Sequence, residues 1–154
     1  MRRNFTGWLI LLIVLLVATA VQALPAAERI QREFRSLAAR YPSVEQAVLS
    51  IQIANIAAAC ASLYVGWILY RREQNTLRQL LIGLVVRCAC VVAGSLAFPF
   101  LAGLPSNMTA NLVRQATYSG ISSLLFTGIW ILYLTRSERV REIYGSQPGG
   151  PSAD

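Results

Sequence analysis

Four apolar runs, at residues 7–24, 47–70, 80–104 and 116–134, leave little of this chain for anything else. As helices rising about 1.5 Å per residue, each is long enough to cross a hydrocarbon core of roughly 30 Å. A mean hydropathy of +0.50, with 55% hydrophobic and 14% charged residues in 154, lies outside the usual range of a soluble domain of this size. The expected architecture is all-α: an integral membrane four-helix bundle over residues 1–145, followed by a Gly-, Pro- and Ser-rich tail at 146–154 that is expected to be disordered.

The opening run resembles a signal peptide, since Val21-x-Ala23 fits a cleavage pattern and Arg2-Arg3-x-Phe5 has the look of a twin-arginine signal. Its 18 apolar residues exceed the usual signal core, and no soluble cargo follows, so an uncleaved first span is expected. Pro25 then stands at a first-turn position before a short amphipathic helix in the first extracytoplasmic loop. There Ile30, Phe34, Leu37 and Tyr41 make one apolar stripe, and Glu28 pairs with Arg32. That stripe either covers the end of the bundle or docks a partner. Pro42 breaks the helix. Ser43 to Gln46 and Thr76 to Gln79 have the form of capping boxes opening spans two and three. The short connection between those spans predicts an antiparallel neighbouring pair, and Pro99 predicts a kink in span three. No internal repeat or paired Gly/Pro interruption supports an inverted-repeat transporter.

All fourteen basic residues are Arg, and His and Lys are absent, so the formal charge of +7 persists through neutral pH. A His-ligated metal site and a His or Lys acid/base group are thereby excluded. Asp154 is the only Asp, and Glu28, Glu33 and Glu45 fall outside the apolar runs, which removes intramembrane carboxylate chemistry. Cys60, Cys88 and Cys90 lie within spans and read as packing residues, because two cysteines two apart on a helix face nearly opposite ways. No catalytic group, cofactor or metal is expected. The arginines sit beside span ends rather than on one face, which favours anionic lipid headgroups over nucleic acid as their partners.

With the N-terminus inside, eight arginines near span ends face the cytoplasm (Arg2, Arg3, Arg71, Arg72, Arg78, Arg136, Arg139 and Arg141), against five outside: Arg29, Arg32, Arg35, Arg40 and Arg114. The balance predicts both termini in the cytoplasm, and Tyr64, Trp67, Tyr70, Trp130 and Tyr133 form an aromatic belt on that side.

Arg87, about 10 Å inside span three, is the one charge within an apolar run. It either snorkels toward the cytoplasmic headgroups or binds an anionic group between helices. Gln52, Asn55 and Ser62 share one face of span two, and Ser119, Ser123 and Thr127 one face of span four. Such faces, like Ala54-x-x-x-Ala58 and Ala57-x-x-x-Ala61, serve helix packing in lipid; a permeation path is the competing use.

The last span ends Ile129-Trp130-Ile131-Leu132-Tyr133 and continues to Ser137, Arg139 and Val140, while the first opens Gly7-Trp8-Leu9-Ile10. Both pieces resemble the bacterial DUF2569 family, small four-helix inner-membrane proteins of unknown function. Its last helix ends Ile-Trp-Ile-Pro-Tyr before a Ser-x-Arg-Val-Lys element and a Thr-Phe pair. Here Leu132 replaces the Pro, Arg141 the Lys, and Ile143-Tyr144 stands near the Thr-Phe. The resemblance implies a four-span fold in a bacterial inner membrane and no substrate. Read physically, Trp130, Tyr133, Ser137, Arg139 and Val140 are a cytoplasmic anchor at a helix C-terminus, where cations are favoured. The expected function is that of a non-enzymatic accessory or structural protein acting through lipids, a membrane-protein partner or a homo-oligomer. The competing reading is a small transporter or lipid-binding protein using Arg87, Gln52, Asn55 and the polar face of span four.

Overall fold

The structure, a computed structural model, describes residues 7–71 and 76–144. Arg2, Arg3, Arg72 and the tail at 146–154 lie outside the described residues, as does the side chain of Arg139. Five helices follow one another: α1 (Gly7–Ala38), α2 (Pro42–Arg71), α3 (Leu77–Leu101), α4 (Ser106–Arg136) and the short α5 (Glu138–Tyr144). Among the described residues there is no strand.

The first four helices are each long and apolar enough to cross a membrane. Their outward faces carry Leu49, Ile53, Ile56, Leu63 and Trp67 on α2 and Ile121, Leu124, Leu125, Ile129 and Leu132 on α4, all exposed. Apolar surface on that scale is not stable in water; hydrocarbon covers it at no cost. These helices mark a membrane protein.

Two of the sequence expectations about helix ends give way. α1 does not stop at Leu24 with a second helix beginning at Pro25; it runs unbroken through Pro25 for 32 residues, roughly 48 Å. Pro25 removes one backbone bond, and the helix-favouring Ala23, Ala26, Ala27 and Glu28 around it hold the rest of the ladder. The amphipathic stretch is therefore the last third of α1. Two residues of its stripe cover the bundle, the side chain of Leu37 lying outside the described residues: Phe34 meets Phe98 of α3 edge to face at 4.9 Å, and Phe34 and Tyr41 pack on Val44, Ala47, Phe98 and Ala102.

The capping boxes also do not form. α2 begins at Pro42, and Ser43 Oγ donates to the carbonyl of Ala102 at 2.8 Å. Thr76 is the N-cap residue of α3 but makes no side-chain capping bond. Ser43 instead serves the other end of its neighbour, satisfying a carbonyl just past the last turn of α3, where helices leave such groups unpaired. Gly103, with φ +59°, then turns the chain into α4. α3 runs through the buried Pro99 to Leu101, so the proline falls in its last turn.

The helices run up and down, with α1 against α2, α2 against α3 and α3 against α4. The antiparallel pairing of α2 and α3 is as expected, and small residues set its closeness. A Cβ built on Gly94 would lie 2.5 Å from Ala54 Cβ, and one on Gly83 would collide with Val65. Two apolar clusters close the bundle along its length. At the Trp130 end lie Leu9, Leu12, Leu16, Val65, Leu69, Leu80, Leu84, Trp130 and Leu134. At the Tyr41 end lies the smaller cluster around Phe98.

Candidate functional site

Between these clusters sits Arg87, ten residues past the start of α3, roughly 15 Å along the helix. It is only 9% exposed. Its Nε donates to Ser62 Oγ at 3.0 Å, and that hydroxyl donates onward to the carbonyl of Ala58 at 2.8 Å. The guanidinium carbon stands 4.8 Å from the centre of the Phe126 ring. Nη1 is buried and finds no hydrogen-bond partner among the described residues.

Arg87 therefore does not snorkel toward the Leu77 end, as the lean of a helical side chain allows. α2 supplies an acceptor and α4 an aromatic face, worth about 2 kcal/mol when desolvated, so the charge turns inward. The lipid-facing positions of α3 are taken by Val85 and Val86 instead.

Arg87 lines a cleft of about 410 Å³ to which all four long helices contribute. Thr19 and Gln22 come from α1, Asn55 and Ser62 from α2, and Ser119 from α4. Thr19 Oγ1 is engaged with the carbonyl of Leu16 at 2.9 Å. Among the described residues no Asp or Glu lines the cleft. The polar face of α4 divides: Ser119 reaches the cleft, Ser123 Oγ contacts Cys88 Sγ at 3.6 Å, and Thr127 is buried against the bundle. Cys88 is buried, as a packing residue would be, while Cys60 is exposed and Cys90 intermediate.

Gln52 and Asn55, grouped on one face by spacing, part company. Gln52 lines a second cleft of about 920 Å³ between the last third of α1 and the start of α2, with Glu28, Arg32, Arg35 and Glu45. The pair of Arg32 and Glu28 there spans 3.5 Å and is largely exposed, which makes it worth little.

The motif around Trp130 lies apart from both clefts. Trp130 is buried and meets Trp8 at 6.4 Å, Phe126 at 6.2 Å and Tyr133 at 5.7 Å between ring centres. Trp8 and Tyr133 are 6.3 Å apart. Ser137 ends α4, its N–H bonded to the carbonyl of Tyr133, and its own carbonyl accepts from Val140 and Arg141 to start α5. Val140 is fully buried, so α5 is folded onto the bundle. The residue missed in the sequence is Tyr144. It is fully buried, and its hydroxyl donates to the carbonyl of Leu69 at 2.6 Å, one of the last four carbonyls of α2. Its signal was the i,i+4 spacing of Val140 and Tyr144, which makes one apolar side on a seven-residue helix. The motif closes the Trp130 end by packing.

Chemically, the central cleft combines one desolvated cation with neutral donors and acceptors. Among the described residues no group of three His, Cys, Asp or Glu could hold a metal. A family model described as "Protein of unknown function (DUF2569)" matches residues 3–145. No curated protein and no solved structure gave a significant match.

Proposed function

The chain belongs to the DUF2569 family, a protein family of unknown function, and from that premise we propose that it is a non-enzymatic, multi-pass binding protein of the bacterial inner membrane, both termini cytoplasmic, which holds an anionic group at Arg87. The observation that carries this reading is the guanidinium itself: buried, tied by Nε to Ser62, stacked on Phe126, and facing no carboxylate among the described residues that line its cleft. A buried cation without a counter-ion costs several kcal/mol, and an anionic ligand offsets that cost. The absence of His and Lys supports binding over chemistry.

An accessory role through helix or partner contacts takes second place. Its support is the exposed apolar surface of α2 and α4, for which lipid alone accounts.

The test is anion-dependent stability of the purified protein in mild detergent. Thermal midpoints are measured against phosphate, acetate, chloride and short-chain phosphatidylglycerol, for wild type and Arg87→Leu. At a hundredfold excess over Kd a bound anion adds about 2.7 kcal/mol. Wild type should gain a midpoint shift with at least one of these and the variant should not; equal responses in both would refute the reading.

A further inference from the structure

The cleft is closed along the bundle by the Leu9–Trp130 cluster at one end and the Phe98 cluster at the other, and α2 and α3 form its back. α1 and α4 meet through Trp8, Trp130 and Tyr133. Away from that contact α1 packs on α2 and α4 on α3, and both line the cleft, with Gln22 on α1 and Ser119 on α4. The substantial helix pairings are α1 with α2, α2 with α3 and α3 with α4, which leaves the seam between α1 and α4 as the least closed side of the bundle.

Resting on the anion reading above, we infer that the Arg87 cleft is a site for a phosphodiester-type oxyanion, entered sideways through the seam between α1 and α4. Three features select that chemistry. Among the described residues one fixed positive charge and no negative one line the cleft, so it balances a monoanion; a phosphodiester carries one charge, whereas a free or terminal phosphate carries about 1.5 to 2 at neutral pH. Gln22, Asn55 and Ser119 come from three different helices and supply neutral amide and hydroxyl donors around the cleft, in keeping with an oxyanion that has several acceptor oxygens. Ser62 is already committed, donating to Ala58 and accepting from Arg87, so it holds the guanidinium rather than the ligand. The volume of about 410 Å³ falls within the range of small-molecule sites, about 300–1,000 Å³, and suits a headgroup whose acyl chains stay in the membrane beyond the seam.

Both a lipid headgroup and free phosphate present phosphate oxygens; the charge balance favours the lipid phosphodiester, and free phosphate is the competing source. Native mass spectrometry of the full chain, released from mild detergent after exchange into phosphatidylglycerol or phosphatidylcholine, reads retained lipid. Thermal midpoints with and without 10 mM inorganic phosphate, on the order of typical weak-site titrations, read the free anion. Wild type should retain one phosphatidylglycerol per chain, with retention at least about tenfold lower in Arg87→Gln and unchanged in the exposed control Arg78→Gln. Ser119→Leu, which replaces a hydroxyl lining the cleft with a larger apolar side chain and does not touch the bond between Arg87 and Ser62, should show the same loss and guards against misfolding of Arg87→Gln. A midpoint shift with inorganic phosphate that is lost in Arg87→Gln, without lipid retention, assigns the site to the free anion and overturns sideways entry. Equal shifts with acetate and phosphate overturn the phosphate assignment while the anion reading survives. Retention of phosphatidylglycerol by Arg87→Gln and Ser119→Leu at the wild-type level, with no response to any anion, overturns both.

Discussion

Replacing Gly94 with Ala should force α2 and α3 apart. The new Cβ would lie 2.5 Å from that of Ala54, whereas carbon atoms rest at about 3.5–4.0 Å. An alanine methyl has no rotamer by which to retreat, so the helices must separate by about 1 Å or more at this level. Overpacking of this kind costs about 1–3 kcal/mol, and Ala returns about 1 kcal/mol through its helix propensity. The net expectation for Gly94→Ala is a loss of up to about 2 kcal/mol. Ala54→Gly alone should lose a similar amount, from propensity and a vacated contact. Together the two changes move one methyl from α2 to α3 and should restore stability to within about 1 kcal/mol of wild type, a coupling of about 2 kcal/mol. Unfolding in mixed micelles by added dodecyl sulfate, followed by tryptophan fluorescence and circular dichroism, measures all four proteins. A Gly94→Ala variant more stable than wild type, or a double variant whose loss is the sum of the single ones, would refute the close approach of these helices.

Tyr144→Phe should cost about 1–2 kcal/mol by leaving the Leu69 carbonyl unpaired in a buried position. Hydrogen exchange should then rise across α5, and unchanged protection there would count against the cap. Gly103→Ala should lower the thermal midpoint, by about 1–2 kcal/mol of strain at positive φ plus a Cβ placed 3.1 Å from Ser43 Oγ. Gly103→Asn should lose less, because Asn tolerates that conformation, and the reverse order would contradict the turn. In a cysteine-free background, Ser36→Cys should react with an impermeant maleimide on intact cells and Glu138→Cys only after lysis; the opposite pattern would invert the proposed orientation.

The four spanning helices were legible in the sequence because crossing hydrocarbon is a local requirement. Length and hydropathy decide it residue by residue, whatever the neighbours do. The antiparallel pairing of α2 and α3 followed from the same local information, through a connection too short to permit anything else. The lack of His and Lys was equally plain and narrows the chemistry without any coordinates. Less legible were the helix ends. Pro25 and the capping patterns at Ser43 and Thr76 are signals learned from water, where a broken backbone bond finds solvent. Here the ladder of α1 continues through the proline, and Ser43 serves a carbonyl 59 residues away.

The candidate site belongs to tertiary structure. A helical period places Gln52 beside Asn55, yet which cleft each one lines depends on how α1 crosses α2. The sequence marked Arg87 as a charge in an apolar run. That it turns inward was decided by Ser62, 25 residues before it, and by Phe126 on α4, both brought near only when three helices pack. Tyr144 took its meaning from Leu69, 75 residues away. The sequence by itself determined that this chain builds membrane-crossing helices, because burial in lipid is settled within each segment. Only the folded bundle decided where its one intramembrane charge points, because the partners that orient a buried guanidinium lie on other helices.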